Sequence, residues 1–153
     1  MSETKFQAIV LAAGKGTRMK SALPKVLHKV AGRSMLGHVV DLAAAAGCDG
    51  LAVVVGPGME AVATEAQKAH AGARIYVQDG QRGTADAVLA ARAAIAEATG
   101  DVVVLYGDTP LIRKDTIVRL RDALDGGAAV AVLGFEAADP TGYGRLPTPA
   151  DGP

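Results

Sequence analysis

The first buried segment of the chain, residues 6–16, reads FQAIVLAAGKG. A nearly continuous apolar run of this kind is typical of a strand that is buried on both faces of a parallel sheet. Glycines directly after such a strand let backbone N–H groups approach a ligand, because no Cβ stands in the way. The segment therefore predicts a ligand-binding loop at the carboxyl edge of a parallel sheet, where open α/β folds bind their ligands.

Further apolar runs and helical patterns alternate along the rest of the chain. The predicted strands are 6–13, 51–55, 74–77, 101–106 and 128–135, and the predicted helices are 35–46, 59–70, 84–98 and 115–124. Ser34 is a suitable N-cap for the first helix, and Gly47 closes it. This alternation predicts a Rossmann-like, three-layer α/β fold with a mostly parallel sheet and right-handed crossovers. We expect one domain over residues 1–146, and a flexible tail rich in proline and glycine over 147–153.

The charges are balanced overall but unevenly distributed. The 153 residues have zero formal net charge, yet residues 4–40 hold seven basic residues and no acidic one. This distribution predicts that the N-terminal part meets an anion, whereas neutrality of the whole argues against a nucleic-acid partner. A single cysteine excludes an intrachain disulfide, and no stretch reaches the ~20 apolar residues of a membrane span. We therefore expect a cytoplasmic protein with no membrane partner.

Two familiar phosphate-binding motifs do not fit the first loop. A Walker motif needs lysine and then serine or threonine after its second glycine, and residues 16–18 read GTR. A dinucleotide fingerprint needs a third glycine where Met19 stands, and an acidic residue where 56–58 read GPG. What remains is a glycine loop with two cations, Arg18 and Lys25. Two fixed cations can neutralise a triphosphate and the charge that develops at its α-phosphorus.

Two other groups of residues suit the same chemistry. Asp108 follows a predicted central strand, where a carboxylate can hold Mg²⁺ against phosphate oxygens or simply cap the turn before Pro110. Gln78 can pair with a pyrimidine edge through one donor and one acceptor. Gly83 and Thr84 offer a close backbone approach at the start of a helix, where Thr84 can also act as a plain N-cap.

Four motifs occur together in an order and spacing that match one family. They are residues 11–19 with 23–27, then 78–84, 106–111 and 140–145. With these motifs the chain resembles the sugar-phosphate nucleotidylyltransferases from about residue 6 to 146, in particular the bacterial N-acetylglucosamine-1-phosphate uridylyltransferases. The resemblance implies a nucleotidyltransferase fold. It also implies that uridylyl passes from UTP to N-acetylglucosamine 1-phosphate with Mg²⁺, giving UDP-N-acetylglucosamine and pyrophosphate for peptidoglycan and lipopolysaccharide precursors.

The resemblance also implies roles for individual residues. Arg18 and Lys25 match catalytic positions, and Asp108 matches a Mg²⁺ ligand. The implied substrate-binding residues are Leu11, Ala12, Ala13, Gly14, Lys25, Gln78, Gly83, Thr84, Tyr106, Gly107, Asp108 and Gly142. The chain departs from the family at Ala85 and Asp86, where the usual pair is glycine and histidine.

The family's domain continues beyond residue 153 with further sugar contacts and an asparagine metal ligand. Full-length members add a β-helical acetyltransferase domain that forms a homotrimer. We therefore expect a fold truncated at its C-terminus, with the nucleotide half of the site present. Two alternatives stay open: an NTP transferase of other base or acceptor specificity, and a nucleotide-binding module without turnover.

Overall fold

A computed structural model describes residues 5–14, 16, 19–80, 82–144 and 146. The chain divides into two units, Met1–Val118 and Arg119–Pro153. The first unit contains the sheet and most of the helices. The predicted tail, 147–153, lies outside the described residues.

The first unit is built on a four-stranded, wholly parallel sheet. Its strands, in the spatial order β5-β4-β1-β6, are β1 (Phe6–Leu11), β4 (Gly50–Val55), β5 (Arg74–Val77) and β6 (Asp101–Tyr106). The four matching sequence predictions are therefore confirmed to within two residues at each end. A short antiparallel hairpin of β2 (Lys29–Val30) and β3 (Arg33–Ser34) precedes the first helix and was not predicted.

Strand order explains where a ligand can bind. The chain runs outward from β1 to β4 and β5, and then returns past β1 to form β6. Leu11, the last residue of β1, lies opposite Tyr106, the last residue of β6. The direction of winding therefore reverses between β1 and β6, and their carboxyl ends flank the crevice that such a reversal opens.

Helices pack on both faces of the central strands of the sheet. The helices of the described residues are α1 (Met35–Ala45), α2 (Glu60–Ala69), α3 (Thr84–Ala90), α4 (Arg92–Glu97) and α5 (Lys114–Asp125), and a 3₁₀ turn spans Lys25–Leu27. No helix of the described residues is long and apolar enough to cross a membrane.

Alternating residues of the central strands supply the two halves of the core. Ala8 and Val10 of β1 pack with α1 and α2, whereas Ile9 packs on the opposite face with α3 and α4. The first face uses large side chains such as Leu36 and Val39, each of which stabilises the fold by about 1.5–3 kcal/mol when buried. The second is lined largely by alanines, among them Ala52, Ala87, Ala91 and Ala94. These two helix layers around a parallel sheet confirm the predicted three-layer α/β fold.

The first helix begins at the predicted cap. Ser34 Oγ accepts a hydrogen bond from the Gly37 N–H at 2.9 Å and donates to Glu65 Oε1 at 2.5 Å. The cap thereby satisfies one of the free N–H groups of α1, which is worth about 1 kcal/mol, and also connects α1 to α2.

One predicted helix is divided in two, and one predicted strand is wrong. The helix expected over 84–98 is interrupted at Ala91, whose N–H bonds to Val88 O three residues earlier, so that the backbone tightens there and restarts as α4. Its N-cap is Gly83 and not Thr84. The strand expected over 128–135 does not form, because an apolar run becomes a strand only where another strand pairs with it. Its residues, such as Val130 and Phe135, are largely exposed in the second unit.

Candidate functional site

A cavity of about 530 Å³ lies in the first unit at the carboxyl ends of the strands, and its lining reaches the last residues of β1 and β6. Its volume falls within the range of pockets that hold nucleotide-sized ligands. Ten of the predicted site residues line it: Leu11, Ala12, Ala13, Gly14, Lys25, Gln78, Gly83, Thr84, Tyr106 and Asp108. Among the described residues, Gly16, Val26 and Ala87 line it as well.

The loop after β1 forms one wall. Ala12 N–H still bonds to Val54 O at 2.8 Å, so the backbone stays attached to the sheet for one residue after β1 ends. Gly16 then adopts a positive φ of 59°, and a Cβ placed there would come within 2.8 Å of Lys25 Cβ. Both observations require glycine at this position, because the loop must turn left-handed while it contacts the segment that carries Lys25.

Lys25 and Asp108 are joined in an ion pair at one side of the cavity. Lys25 begins the 3₁₀ turn after Pro24, and buried Val26 anchors that turn in the core. Lys25 Nζ lies 2.7 Å from Asp108 Oδ2, and both side chains remain partly exposed. The two groups predicted to handle phosphate and metal are therefore within reach of one ligand.

Gln78 forms another part of the wall and is held from three directions. Its backbone N–H continues the ladder of β5 to Val55 O at 2.9 Å, and the residue is 5% exposed. Its side-chain Nε2 donates to Gly83 O at 3.1 Å and to Asp86 Oδ2 at 2.9 Å. The side-chain amide is thus fixed among partners that can only accept.

Asp86 is a residue of this site whose role was not predicted. It lies in the first turn of α3 and also accepts from the backbone N–H and the guanidinium of Arg82. The hydrogen bonds from Gln78 and from the Arg82 backbone hold the pKa of the Asp86 carboxyl below its usual value. Two features of the sequence could have pointed to Asp86: it follows Arg82 by four residues, and it departs from the family pattern.

Tyr106 and Gly107 differ in their relation to the cavity. Tyr106 lines it with a half-exposed side chain. Gly107 does not line it: the residue is buried behind the wall, its N–H bonds to Leu11 O at 2.9 Å, and a Cβ would come 3.1 Å from that oxygen. The structure therefore gives Gly107 a packing role next to the site.

Gly142 lies in the second unit, in a turn closed by a hydrogen bond from Tyr143 N to Pro140 O. Arg18 lies outside the described residues.

The described residues fit a divalent cation that takes part of its ligands from a bound substrate. Within the described part of the chain, no group of three or more His, Cys, Asp or Glu side chains could hold a metal by itself. Asp108 offers a single carboxylate at the cavity wall. Mg²⁺ is commonly held in this way, by one or two carboxylates together with substrate phosphates and water, so the donor chemistry fits a cation that arrives with a polyphosphate.

Comparison with known proteins agrees with the geometry. Residues 8–149 match the family described as the MobA-like NTP transferase domain. The chain is 58% identical over 151 residues to the bifunctional protein GlmU of Azorhizobium caulinodans, covering 99% of this chain and 34% of that protein. It therefore spans about a third of the length of this curated relative.

Solved structures show the same fold. The crystal structure of Rv0371c from Mycobacterium tuberculosis matches with a TM-score of 0.65 and 30% identity, over 82% of this chain and 63% of that one. Its complex with manganese matches with a TM-score of 0.61 and 28% identity, over 80% and 61%. From the family match and the shared fold it follows that the chain belongs to the MobA-like NTP transferase domain family.

Proposed function

We propose that the chain is the nucleotide-binding part of a uridylyltransferase that couples UTP to N-acetylglucosamine 1-phosphate. The observation that carries this proposal is the grouping of Lys25, Asp108 and Gln78 around one cavity at the point where the strand order reverses. A metal-bound nucleoside triphosphate would need a cation for its phosphates, a carboxylate for its metal ion and an amide that can bond to its base. The GlmU relative supports the choice of these substrates, since 99% of the present chain aligns with it.

The proposed uridylyl transfer requires the two substrates to be positioned and their phosphate charge to be neutralised. The phosphate oxygen of the sugar phosphate attacks the α-phosphorus of UTP, a new P–O bond forms, and the bond to the β-phosphate breaks to release pyrophosphate. No covalent bond to the protein is required, so bound geometry and electrostatics provide the rate enhancement. The products are UDP-N-acetylglucosamine and pyrophosphate, which would supply cell-wall precursor synthesis in the cytoplasm.

Each residue has a distinct task in this scheme. Lys25 binds phosphate oxygens, and Gln78 with Gly83 and Thr84 surrounds the base. Arg18 stabilises the departing pyrophosphate. Asp108 would hold Mg²⁺, which would neutralise phosphate charge when bound, and the manganese complex of a structural relative supports a divalent cation. Gly142 is proposed as a sugar contact.

Some properties of the relatives lie outside this proposal. The resemblance places acetyl transfer and trimer formation in a C-terminal domain that is not part of these 153 residues. We therefore assign neither property to this chain.

Pyrophosphate release tests the proposal. UTP, CTP, GTP and ATP would each be paired with N-acetylglucosamine 1-phosphate and with glucose 1-phosphate, with and without Mg²⁺. We expect UTP with N-acetylglucosamine 1-phosphate and Mg²⁺ to give the highest rate. A higher rate with another pair would instead identify a transferase of different specificity. A thermal shift with UTP and Mg²⁺ but no release with any pair would identify a nucleotide-binding module.

A further inference from the structure

The amide of Gln78 can adopt only one of its two orientations. A glutamine side chain carries one NH₂ donor and one carbonyl acceptor, and rotation by half a turn exchanges them. Gly83 O and the Asp86 carboxylate are both acceptors, at 3.1 and 2.9 Å from the same terminal atom. That atom must be the nitrogen, because an oxygen there would face two other oxygens in a buried place with no compensating donor. Gln78 Oε1 is therefore the polar end of the amide that remains for a ligand.

Asp86 is itself held in place as an anion. Arg82 donates to it from the backbone N–H at 3.2 Å and from the guanidinium at 3.1 Å. A hydroxyl partner could offer Gln78 either a donor or an acceptor from the same atom, whereas this carboxylate offers acceptors alone. Of the two acceptors that hold the amide, Gly83 O is a backbone atom that any residue would supply. Asp86 is thus the side chain that makes the orientation specific.

We propose that Asp86 is a positioning residue that presents Gln78 to the cavity as a hydrogen-bond acceptor, so that the site prefers a base whose ring edge donates an N–H. This inference rests on the proposed function, since it assumes that the cavity holds a nucleotide. Uracil carries a ring N–H at N3, whereas cytosine carries a lone pair at the same atom. An acceptor fixed at Gln78 bonds to the first base and repels the second. The family's usual histidine at this position is thus replaced here by a carboxylate that can still set the base preference.

The test compares UTP with CTP in binding to the 153-residue chain. Their dissociation constants would be measured by calorimetry for the wild type, Asp86→Ala, Asp86→Asn and Asp79→Ala. We expect the preference for UTP to fall ~10-fold in Asp86→Ala, the scale of one lost hydrogen bond. Asp86→Asn keeps a side-chain carbonyl and should retain most of the preference. Asp79→Ala also removes one negative charge, at the residue that follows Gln78 in the sequence. Asp79 is exposed and does not line the cavity. This variant should therefore keep the wild-type preference for UTP over CTP.

A second readout separates this inference from the proposed function. The side-chain NH₂ of Gln78 should give slowly exchanging NMR signals in the wild type and in Asp86→Asn, and faster exchange in Asp86→Ala. A UTP preference that is equal in the wild type and Asp86→Ala, while both nucleotides bind, would overturn the inference and leave the proposed function intact. Absence of binding by every nucleotide to the wild type would instead contradict the proposed function and the base preference with it. Exchange that is equally fast in all variants would show that Asp86 does not hold the amide.

Discussion

The side chains of Lys25 and Asp108 meet at 2.7 Å, although 83 positions separate them in the sequence. One residue follows β1 and the other follows β6, so the contact depends on the reversal of strand order that places these two strands side by side. Both side chains are partly exposed, and an ion pair of this kind contributes about 0–1 kcal/mol to the free energy of unfolding. The contact therefore matters more for what it places in the cavity than for stability.

Replacing Lys25 tests that distinction. We expect Lys25→Ala to change the free energy of unfolding by less than about 1 kcal/mol, because the ion pair is solvated. The affinity for UTP should fall by ~10-fold or more, because a charge-assisted bond to phosphate is lost. Urea denaturation and calorimetry measure the two effects. Lys29→Ala is the matched control, since Lys29 is an exposed residue of the same acid-free segment, and an equal loss of affinity in that variant would contradict a local role for Lys25.

Asp108 should matter for turnover and metal dependence. In a form of the protein that releases pyrophosphate, we expect Asp108→Ala to lower turnover by at least ~10²-fold, the scale for loss of a preorganised electrostatic group. Asp108→Asn keeps an oxygen but loses the charge, and it should also need more Mg²⁺ for half-maximal rate. Steady-state rates over a Mg²⁺ series check this, and an Asp108→Ala rate within threefold of the wild type would refute the metal assignment.

Gly16 is expected to be intolerant of any side chain. Gly16→Ala places a Cβ 2.8 Å from Lys25 Cβ at a positive φ, and strain of this kind costs about 1–3 kcal/mol. Gly14→Ala is the matched control, because no atom lies within 4 Å of its added Cβ and its φ is not in the left-handed region. Urea denaturation of both variants measures the difference. Equal stability of the two would show that the loop relaxes without cost.

The exposed ion pair of Arg74 and Glu97 should make a pH-dependent contribution to the stability of the fold. Arg74 of β5 donates to Glu97 of α4 from both terminal guanidinium nitrogens, and these hydrogen bonds lower the pKa of the Glu97 carboxyl. Because the folded-state pKa lies below the unfolded one, the stabilisation is complete above the unfolded value and is lost as the pH falls through the folded value. Wild type should therefore have a higher Tm than Glu97→Gln at neutral pH. The difference should shrink as the pH falls through the folded-state pKa of Glu97. A difference that persists unchanged in acid would mean that the charge of Glu97 is not its cause.

The central fold could be predicted because its signals are local. Strands β1, β4, β5 and β6 are apolar runs bounded by glycine, charge or turn residues, and burial of β1 and β4 on both faces demands such runs. The strand expected over 128–135 has the same local pattern but no pairing strand among the described residues. The break at Ala91 carries no glycine or proline, so nothing in the local sequence indicates it.

The features of the site also divide into those that the local sequence predicts and those that depend on tertiary contacts. Residues of the glycine loop and the strand ends could be placed at the cavity because parallel strands end at a common edge. The bond between Lys25 and Asp108 could not, since it depends on the path of two distant loops. Gln78 could be placed at the cavity from the sequence, whereas the bond that holds its amide comes from Asp86, where the chain leaves the family pattern. Family resemblance thus predicts which residues line the site, and the side-chain contacts decide how they are presented.

The bond from Ser34 to Glu65 provides a test of the core that does not involve the cavity. Ser34→Ala leaves the Gly37 N–H without its acceptor and breaks the link between α1 and α2, so we expect a loss of about 1–3 kcal/mol in the free energy of unfolding. Glu65→Gln keeps an oxygen that can accept from the hydroxyl and should change stability by less than about 0.5 kcal/mol. Glu65→Ala removes the helix link alone, and its combination with Ser34→Ala forms a double-mutant cycle in urea denaturation. A coupling energy above about 0.5 kcal/mol is expected for residues in direct contact. Additive losses would show that the two side chains do not couple and that Ser34 acts only as the cap of α1.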